Sequence, residues 1–241
     1  MCDQMSNERD KIILELLLKK KKITVKELSE TLYVSEPSVR RDLARLESQN
    51  LIKRSHGGAM IEENAVSRNK IPFKVRELEE SGAKIVMAKA AAELIEDGNV
   101  VFLDSSTSAY NVIPFLADKN GLTVITNGVR ALERLAEYGI STISTGGNLD
   151  VSCMSLVGDE AHKTIESFYA DICFFSCRGL DREGNMTDIF SAENYVRLRM
   201  IKHSKRAYLL CAGEKFGKRY FHNLMNLKAV DGLISDRDFE Q

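Results

Sequence analysis

The sequence has little of what marks secreted, membrane-spanning or metal-binding proteins. Its 241 residues contain no tryptophan, three prolines and five cysteines. No apolar run approaches the roughly 20 residues of a membrane-spanning helix. The N-terminal stretch MCDQMSNERDK lacks the apolar core of a signal peptide. These absences predict a cytoplasmic protein without a membrane partner.

The cysteines are spread along the chain without a CxxC pair, and the four histidines lack the spacing of metal ligands. Three cysteines, Cys173, Cys177 and Cys211, lie in apolar runs typical of strands. Free buried thiols in a reducing compartment are the simplest interpretation, and metal binding is the weaker alternative. We therefore expect neither a metal nor a cofactor.

An excess of charge of one sign is also missing, since the formal net charge is -1. The first 60 residues are slightly basic and the remainder is slightly acidic. Binding to an acidic partner would therefore depend on a local basic patch, doubled by dimerisation. For this reason we expect a homo-oligomer.

The pattern of residues 24–58 is typical of a winged helix-turn-helix. Thr24 and Glu27 form a capping box that begins one helix, and Ser35 caps a second helix after a two-residue turn. Pro37 lies near the start of the second helix, where its missing N–H costs little. An amphipathic strand and a turn with two glycines follow. Helix, turn, helix and wing in this order predict a DNA-binding domain.

The second helix has an apolar face and a basic face. Val39, Leu43 and Leu46 are spaced to face the core. The opposite face carries guanidinium and hydroxyl groups that suit guanine edges and phosphates in a major groove. The residues predicted to contact DNA from this helix and the wing are Ser35, Pro37, Ser38, Arg40, Arg41, Arg45, Lys53, Arg54 and His56.

A simpler interpretation is that Arg40 and Arg41 form a solvated charge pair on an ordinary three-helix domain. Charged helix faces are common, but the combination of cap, turn, arginine face and basic wing is much less common than any one part. We therefore favour binding to a double-stranded DNA operator.

This segment also resembles a known family. The run VSEPSVRRDLARLESQNLIKRSHGGA, residues 34–59, is similar to the N-terminal signature of the DeoR family of bacterial transcriptional regulators, which control sugar and nucleoside metabolism. Ser38 and Asn50 stand where the family more often has threonine and glycine. Asn50 also suits the left-handed position that ends the second helix.

The pattern changes after residues 1–58. Residues 59–80 are polar and are interpreted as a linker. Over residues 81–241, helices alternate with short apolar strands, which predicts an α/β domain with a mostly parallel sheet and helices on both faces. The predicted strands are 99–103, 123–126, 140–144, 171–176, 207–211 and 230–235.

Clusters of small polar residues follow three of these strands. They are DSSTS at 104–108, TNG at 126–128 and TGGN at 145–148. Because the carboxyl ends of parallel strands share one edge, the loops should converge on one crevice, where a helix beginning after the first cluster offers N–H groups to a phosphate. Turns and caps explain any one loop equally well. Three such loops together favour a ligand site.

This half resembles the sensor domain of the same family, whose fold is shared with ribose-5-phosphate isomerase, glucosamine-6-phosphate deaminase and coenzyme A transferases. The matching pieces are FLDSSTS (102–108), TVITN (123–127), TGG (145–147), residues 178–188, Glu193 and KFG (215–217). The resemblance implies a phosphorylated sugar or related metabolite as effector. The implied effector-binding residues are Asp104 and Asn127 for hydroxyls, Ser106, Thr107, Ser108 and Lys215 for phosphate, Glu193 near the sugar, and Gly146 and Gly147 in the third loop.

One position departs from the family pattern. The family usually has Ala-Asp ahead of the lysine, whereas Ala212 occupies this position here. The missing carboxylate would change which hydroxyl is recognised or leave the pocket degenerate. Glu214 is a candidate substitute, although neighbouring side chains on an extended strand point to opposite faces.

The sequence therefore predicts a DNA-binding transcriptional regulator, a repressor of carbohydrate-metabolism genes relieved by a phosphorylated sugar, and not an enzyme. One alternative is a sugar-phosphate isomerase or deaminase with an appended DNA-binding domain, using Asp104, Glu193 and Lys215 as acid and base groups. Another is a second domain that only oligomerises. Fold similarity does not carry activity, so we favour the sensor.

Overall fold

The computed structural model describes residues 2–49, 51–60, 72–79 and 81–240. The chain divides into two compact units, Met1–Glu79 and Glu80–Gln241. In chain order, the described elements of the first unit are α1 (Cys2–Lys20), β1 (Lys22–Thr24), α2 (Val25–Leu32), α3 (Glu36–Ser48), β2 (Lys53–Ser55), β3 (Gly58–Met60) and α4 (Phe73–Leu78). The strands pair antiparallel in the order β1-β3-β2, so that β2 and β3 form a wing hairpin. The predicted winged helix-turn-helix is confirmed.

The predicted capping box begins α2. The Thr24 hydroxyl accepts a hydrogen bond from the Glu27 amide at 3.1 Å, and the Glu27 carboxylate accepts one from the Thr24 amide at 2.8 Å. Tyr33 ends the helix in the left-handed region, with φ of 53°. On α3 the predicted apolar face is buried against α1 and α2, and its members are Val39, Leu43 and Leu46.

Residues 59–60 and 73–78 of the predicted linker, residues 59–80, belong to regular secondary structure. Ala59 in β3 pairs with Ile23 in β1, and α4 buries Val75 in the core of the first unit. The segment has too few apolar residues to show helical periodicity, so the sequence did not reveal α4. Residues 61–71 lie outside the described residues, and so does Asn50, which was predicted to end α3.

The second unit alternates strands and helices as predicted. Its elements are α5 (Ser81–Glu93), β4 (Val100–Leu103), α6 (Thr107–Tyr110), β5 (Thr123–Thr126), α7 (Val129–Glu137), β6 (Ser141–Ser144), β7 (Asn148–Asp150), β8 (Ser155–Val157), α8 (Asp159–Glu166), β9 (Ala170–Phe175), β10 (Gly179–Leu180), β11 (Asn185–Asp188), α9 (Ser191–Lys202), β12 (Ser204–Leu210), β13 (His222–Asn226) and β14 (Gly232–Ile234).

Six strands form one parallel sheet in the order β14-β12-β9-β4-β5-β6. Each corresponds to a predicted strand. Successive residues of β4 face opposite sides: Val101 and Leu103 lie in one apolar core, and Phe102 lies in the other. The predicted α/β architecture, with helices on both faces, is confirmed. Two small antiparallel sheets, β7-β8 and β10-β11-β13, were not predicted.

Candidate DNA-binding face and effector site

The exposed face of α3 carries a short chain of polar contacts. The hydroxyls of Ser35 and Ser38 are 3.1 Å apart, and the Arg41 guanidinium donates a hydrogen bond to Ser38 at 3.2 Å. Ser35 occupies the N-cap position without a side-chain capping bond, and Pro37 lies exposed in the first turn. The sequence thus places these residues together at the N-terminal half of the helix, which is the part that reads base edges in helix-turn-helix proteins.

Arg40 is the second exposed arginine of this face. Its guanidinium lies 3.4 Å from the Glu36 carboxylate, and its side chain is 58% exposed. An exposed pair of this kind contributes little to stability, because solvent screens it. Arg40 therefore remains able to exchange Glu36 for a phosphate.

Arg45 does not fit its predicted role in DNA contact. Its guanidinium donates to the buried Asp10 carboxylate at 2.6 and 3.1 Å and to the buried Asp42 carboxylate at 2.8 Å. Arg9 also binds Asp42. Arg45 therefore joins α3 to α1 inside the domain. The sequence did not reveal this, because Asp10 lies on a different helix.

These arginines control the charge state of Asp42. Burial alone would raise the pKa of the Asp42 carboxyl, but the hydrogen bonds from Arg9 and Arg45 outweigh it and hold the pKa below its usual value. The hydrogen bond to Asp10, with a second one to Asp42, raises the pKa of Arg45 above its usual value despite its partial burial. The cluster is therefore an ionised, structural one.

The three predicted DNA-contact residues of the wing differ in their surroundings. The Arg54 guanidinium donates to Glu47 at 2.6 Å, and its amide donates to the same carboxylate at 3.0 Å. The side chains of Lys53 and His56 are exposed, with His56 at the tip of the hairpin. Arg54 therefore links the wing to the end of α3, and contact with DNA would require it to share or leave Glu47.

The sequence did not single out Tyr33 as a contact residue. Its side chain is 95% exposed, in the turn that leads into α3. Its position beside Ser35 would place an aromatic hydroxyl at the border of the DNA-facing surface. No pattern in the sequence distinguishes it from an ordinary turn residue.

In the second unit, the three polar loops follow neighbouring strands. Leu103 at the end of β4 pairs with Thr126 at the end of β5, which pairs with Ser144 at the end of β6. A Cβ atom on Gly128 would lie 3.1 Å from the Ser105 Cα, so two of the loops are in close contact. The predicted convergence on one sheet edge is confirmed.

Three buried polar atoms in this region have no hydrogen-bond partner among the described residues: Ser108 Oγ, Asn127 Oδ1 and Ser155 Oγ. Asn127 is held by a bond from its amide group to the Leu156 carbonyl at 3.2 Å. Ser155 reaches this edge through a bridge to Gly128, and the sequence did not predict it. Buried polar groups are rarely left unpaired, so these atoms are suited to a polar ligand.

Two predicted ligands use their side chains inside the protein. Asp104 accepts hydrogen bonds from the Ser106 amide at 3.0 Å, the Ser176 amide at 3.2 Å and Arg197 Nε at 2.8 Å. The Ser106 hydroxyl caps α6 by accepting from the Ala109 amide at 3.1 Å. These three internal bonds fit a structural role for the buried Asp104 carboxylate better than the predicted contact with an effector hydroxyl.

Arg197 is the centre of a buried ionic network that the sequence did not reveal. Its Nη1 donates to Asp188 at 2.7 Å and to Asn194 at 2.9 Å, and its Nη2 lies 3.7 Å from Glu193. Burial alone would lower the pKa of Arg197, but the carboxylates outweigh it and raise the pKa well above its usual value. Asp104, Asp188 and Glu193 are thereby tied to one cation.

The remaining predicted effector residues are brought to this edge in different ways. Glu193 is buried and accepts a hydrogen bond from Ser105 at 2.7 Å. Lys215 donates to the Ser176 hydroxyl at 3.1 Å and to the Cys177 carbonyl at 2.8 Å. Thr107 is buried beside Ser108.

The two glycines of the third loop, Gly146 and Gly147, adopt φ values of 65° and 108°. A Cβ atom on Gly147 would lie 2.5 Å from the Val157 carbonyl oxygen. The backbone of this loop therefore packs directly on β8, and any contact with a ligand would come from backbone atoms.

Among residues 2–49, 51–60, 72–79 and 81–240, no three or more His, Cys, Asp and Glu side chains are grouped so that they could hold a metal ion. Within the same ranges, no helix combines the length and apolar character needed to cross a membrane.

Comparisons with known proteins agree with this arrangement. The family model for the DeoR C terminal sensor domain matches residues 79–237, and that for the DeoR-like helix-turn-helix domain matches residues 9–65. An uncharacterised HTH-type transcriptional regulator of Bacillus subtilis (strain 168) is 35% identical over 230 residues, covering 95% of this chain and 88% of the relative. The glycerol-3-phosphate regulon repressor of Escherichia coli (strain K12) is 27% identical over 230 residues, covering 95% and 90%.

Among solved structures, eIF2B delta from Chaetomium thermophilum superposes with a TM-score of 0.51 at 15% identity, covering 66% of this chain and 57% of that one. At this identity the likeness shows the fold alone. The family models and the relatives, which span both units, show that the chain belongs to the DeoR family of helix-turn-helix transcriptional regulators.

Proposed function

We propose that this protein represses carbohydrate-metabolism genes by binding a double-stranded DNA operator, and that a phosphorylated sugar or related metabolite relieves the repression. The observation that carries the proposal is that one chain has both an exposed Ser38-Arg41 face on α3 and, in the sensor domain, buried polar atoms that have no hydrogen-bond partner among the described residues. The name of the E. coli relative, a glycerol-3-phosphate regulon repressor, supports a phosphorylated effector.

DNA recognition rests on the N-terminal half of α3. Within the part of the chain that the structure describes, Arg41 has one hydrogen bond, to a neutral hydroxyl, and its guanidinium is exposed, which suits bidentate binding to guanine. Arg40, Lys53 and His56 lie on exposed surface and suit phosphate contacts. Arg45 is left out, because its donors serve Asp10 and Asp42.

Effector recognition depends on polar atoms that can still form hydrogen bonds with a ligand. Ser108, Asn127 and Ser155 each have a buried oxygen without a partner among the described residues. The Lys215 ammonium has three N–H groups and donates to two acceptors, Ser176 and Cys177, which leaves one for a phosphate oxygen. The Glu193 carboxylate accepts one hydrogen bond, from Ser105, and so has acceptor positions left for a sugar hydroxyl.

Turnover of the effector is not part of the proposal. An isomerase or deaminase would need a free carboxylate base, yet Asp104 is bonded to Arg197 and two amides. Glu193 is bonded to Ser105 and lies beside Arg197. These contacts favour a binding site over a catalytic one.

The test has two stages. Selection from random duplexes, followed by fluorescence anisotropy at fixed salt, should yield a preferred operator sequence. A thermal-shift screen should then identify a phosphorylated sugar that raises Tm and weakens operator binding. A coupling of about 1–3 kcal/mol would correspond to a 5- to 150-fold loss of affinity.

The unphosphorylated form of the same sugar is the matched control. It should neither raise Tm nor weaken operator binding. Specific DNA binding without any response to sugar phosphates would overturn the effector part of the proposal. Purely non-specific DNA binding would overturn the regulatory part. Conversion of the sugar phosphate into a product would favour the enzyme.

A further inference from the structure

Two thiols lie together at the end of the central strands. Cys177 Sγ and Cys211 Sγ are 3.9 Å apart, and both residues are buried. They follow β9 and β12, neighbouring parallel strands in which Phe175 pairs with Leu209. Each cysteine is two residues beyond that pair, so the two side chains are in register and point to the same face of the sheet.

This register matches the requirements of a disulfide. Neighbouring strands lie about 4.8 Å apart, and disulfide-bonded cysteines have Cα atoms about 4.4–6.8 Å apart. The sulfurs must close from 3.9 Å to bonding distance, which a side-chain rotation allows without separating the strands. Cys177 and Cys211 are the one pair of thiols within hydrogen-bonding distance of each other among the described residues.

The surroundings of this pair differ from those of the other buried thiols. The Lys215 ammonium donates to the Cys177 carbonyl at 2.8 Å, and its charge acts on both thiols of the pair. A hydrogen bond from Cys177 and the charge of Lys215 lower the pKa of the Cys211 thiol against the effect of burial. At Cys173, burial and the nearby Asp104 carboxylate outweigh a hydrogen bond with Ser204 and raise the pKa of the thiol well above its usual value. A thiolate therefore forms more readily at Cys211.

We propose that Cys177 and Cys211 are a redox pair that a peroxide converts into an intramolecular disulfide. The Cys211 thiolate attacks the O–O bond of hydrogen peroxide, forming a sulfenic acid and releasing hydroxide, which takes up the thiol proton as water. The Cys177 thiol then attacks the sulfenic sulfur, and the hydroxyl leaves as a second water with the Cys177 proton. Two electrons and two hydrogens pass from the thiols to the peroxide. A dithiol reductant reverses the change.

Cys177 also supplies the carbonyl group that orients Lys215, so the disulfide would restrain the residue that makes this contact. Since Lys215 is part of the proposed effector site, this consequence rests on the proposed function. Oxidation should then weaken the effector response by roughly fivefold or more. The disulfide itself does not depend on the effector, so its formation and the effector response are separable results.

The test treats the full-length protein with hydrogen peroxide, with dithiothreitol-treated protein as the reference. Titration of thiols after denaturation should fall from five per chain to three. After alkylation and trypsin digestion, the peptide 164–178 should be linked to the peptide 207–215. The first peptide contains both Cys173 and Cys177, so variants must assign the bond.

The matched control is Cys173→Ser, which removes a buried thiol on the same strand and should keep the link. Cys177→Ser and Cys211→Ser should each abolish it. Cys2→Ser removes intermolecular exchange through the N-terminus. Should a variant fail to unfold cooperatively, the fragmentation spectrum of the linked wild-type peptides assigns the bond directly.

Three outcomes would overturn the proposal: five free thiols after peroxide, a link through Cys173, or stable sulfinic acid at Cys211 without a link. Loss of the effector response in Cys173→Ser would show that the effector response does not depend on the Cys177–Cys211 pair. A protein that forms the disulfide but binds no sugar phosphate when reduced would support the redox pair and refute the proposed effector.

Discussion

The Arg45 guanidinium lies 2.6 Å from the Asp10 carboxylate, which ties α3 to α1 through a largely buried ion pair. Arg41, one turn earlier on the same helix, has no carboxylate partner among the described residues and instead contacts Ser38. Two arginines four residues apart in one sequence motif therefore have different tasks. Arg45 holds α1 and α3 together, whereas Arg41 is accessible to DNA.

This difference can be measured by comparing two alanine variants. Arg45→Ala leaves two buried carboxylates short of donors and should lower the free energy of unfolding by about 1–3 kcal/mol. Arg41→Ala should change it by less than about 0.5 kcal/mol, yet cost about 1–3 kcal/mol of operator binding. Urea unfolding and anisotropy at one salt concentration provide both values. Equal stability losses in the two variants would contradict the assignment.

Two serines of the first sensor loop allow a similar comparison. Ser106 caps α6, so Ser106→Ala should lower the free energy of unfolding by about 0.5–2 kcal/mol. The buried Ser108 hydroxyl has no hydrogen-bond partner among the residues described, so Ser108→Ala should leave the stability of the free protein unchanged or slightly raised. The Ser108→Ala substitution should instead weaken the free energy of effector binding by about 0.5–1.5 kcal/mol. Calorimetry of the free and effector-bound protein measures both, and unaltered effector affinity in Ser108→Ala would remove this hydroxyl from the site.

The Asp188–Arg197 pair should make the sensor domain sensitive to acid. Burial would raise the pKa of Asp188, but Arg197 and the Ile189 amide outweigh it and hold the pKa below its usual value. The stabilisation is therefore present above the unfolded-state pKa of about 3.9 and lost as the pH falls through the lower folded-state value. Stability should fall steeply below about pH 4.

Asp188→Asn tests this dependence. It should lower stability near pH 7 by about 3–5 kcal/mol, because it leaves Arg197 with less compensation. Its unfolding free energy should then depend less on pH between about pH 4 and pH 2 than that of the unsubstituted chain. Parallel acid branches in the two proteins would show that Asp188 is not the group that titrates.

A single α3 helix contacts too few base pairs for useful specificity, so we predict a dimer or higher oligomer on DNA. A two-fold pair should bind half-sites about 10 bp apart or a multiple of that spacing. Sedimentation velocity with and without operator, using half-site spacings shifted by half a turn, measures this. Tight binding of a monomer to one isolated half-site would contradict it.

Features set by neighbouring residues were predictable from the sequence. The Thr24-Glu27 capping box and the buried stripe of Val39, Leu43 and Leu46 follow from spacing within a few residues. The convergence of three polar loops followed from the rule that parallel strands end at one edge.

The contacts that were missed join distant positions. Arg45 and Asp10 are in contact but lie on different helices. Asp104 and Arg197 are in contact but lie far apart in the sequence of the sensor domain. Ser155 reaches the site through a bridge from a short antiparallel strand. Local periodicity carries no information about such pairings, because it specifies which face of an element is buried and not which side chain it meets.

The wing lies so close to the strand before α2 that a Cβ atom on Gly58 would be 2.2 Å from the Ile23 carbonyl oxygen. With Arg54 held by Glu47, the hairpin is fastened at one side to β1 and at the other to α3. Helix and wing are thus already arranged before any DNA arrives. Little conformational entropy is left to lose on docking, so more of each contact's free energy appears as affinity. A larger residue at position 58 would loosen the arrangement of the wing relative to α3. It would therefore weaken binding to all DNA sequences equally, without removing a particular contact with DNA.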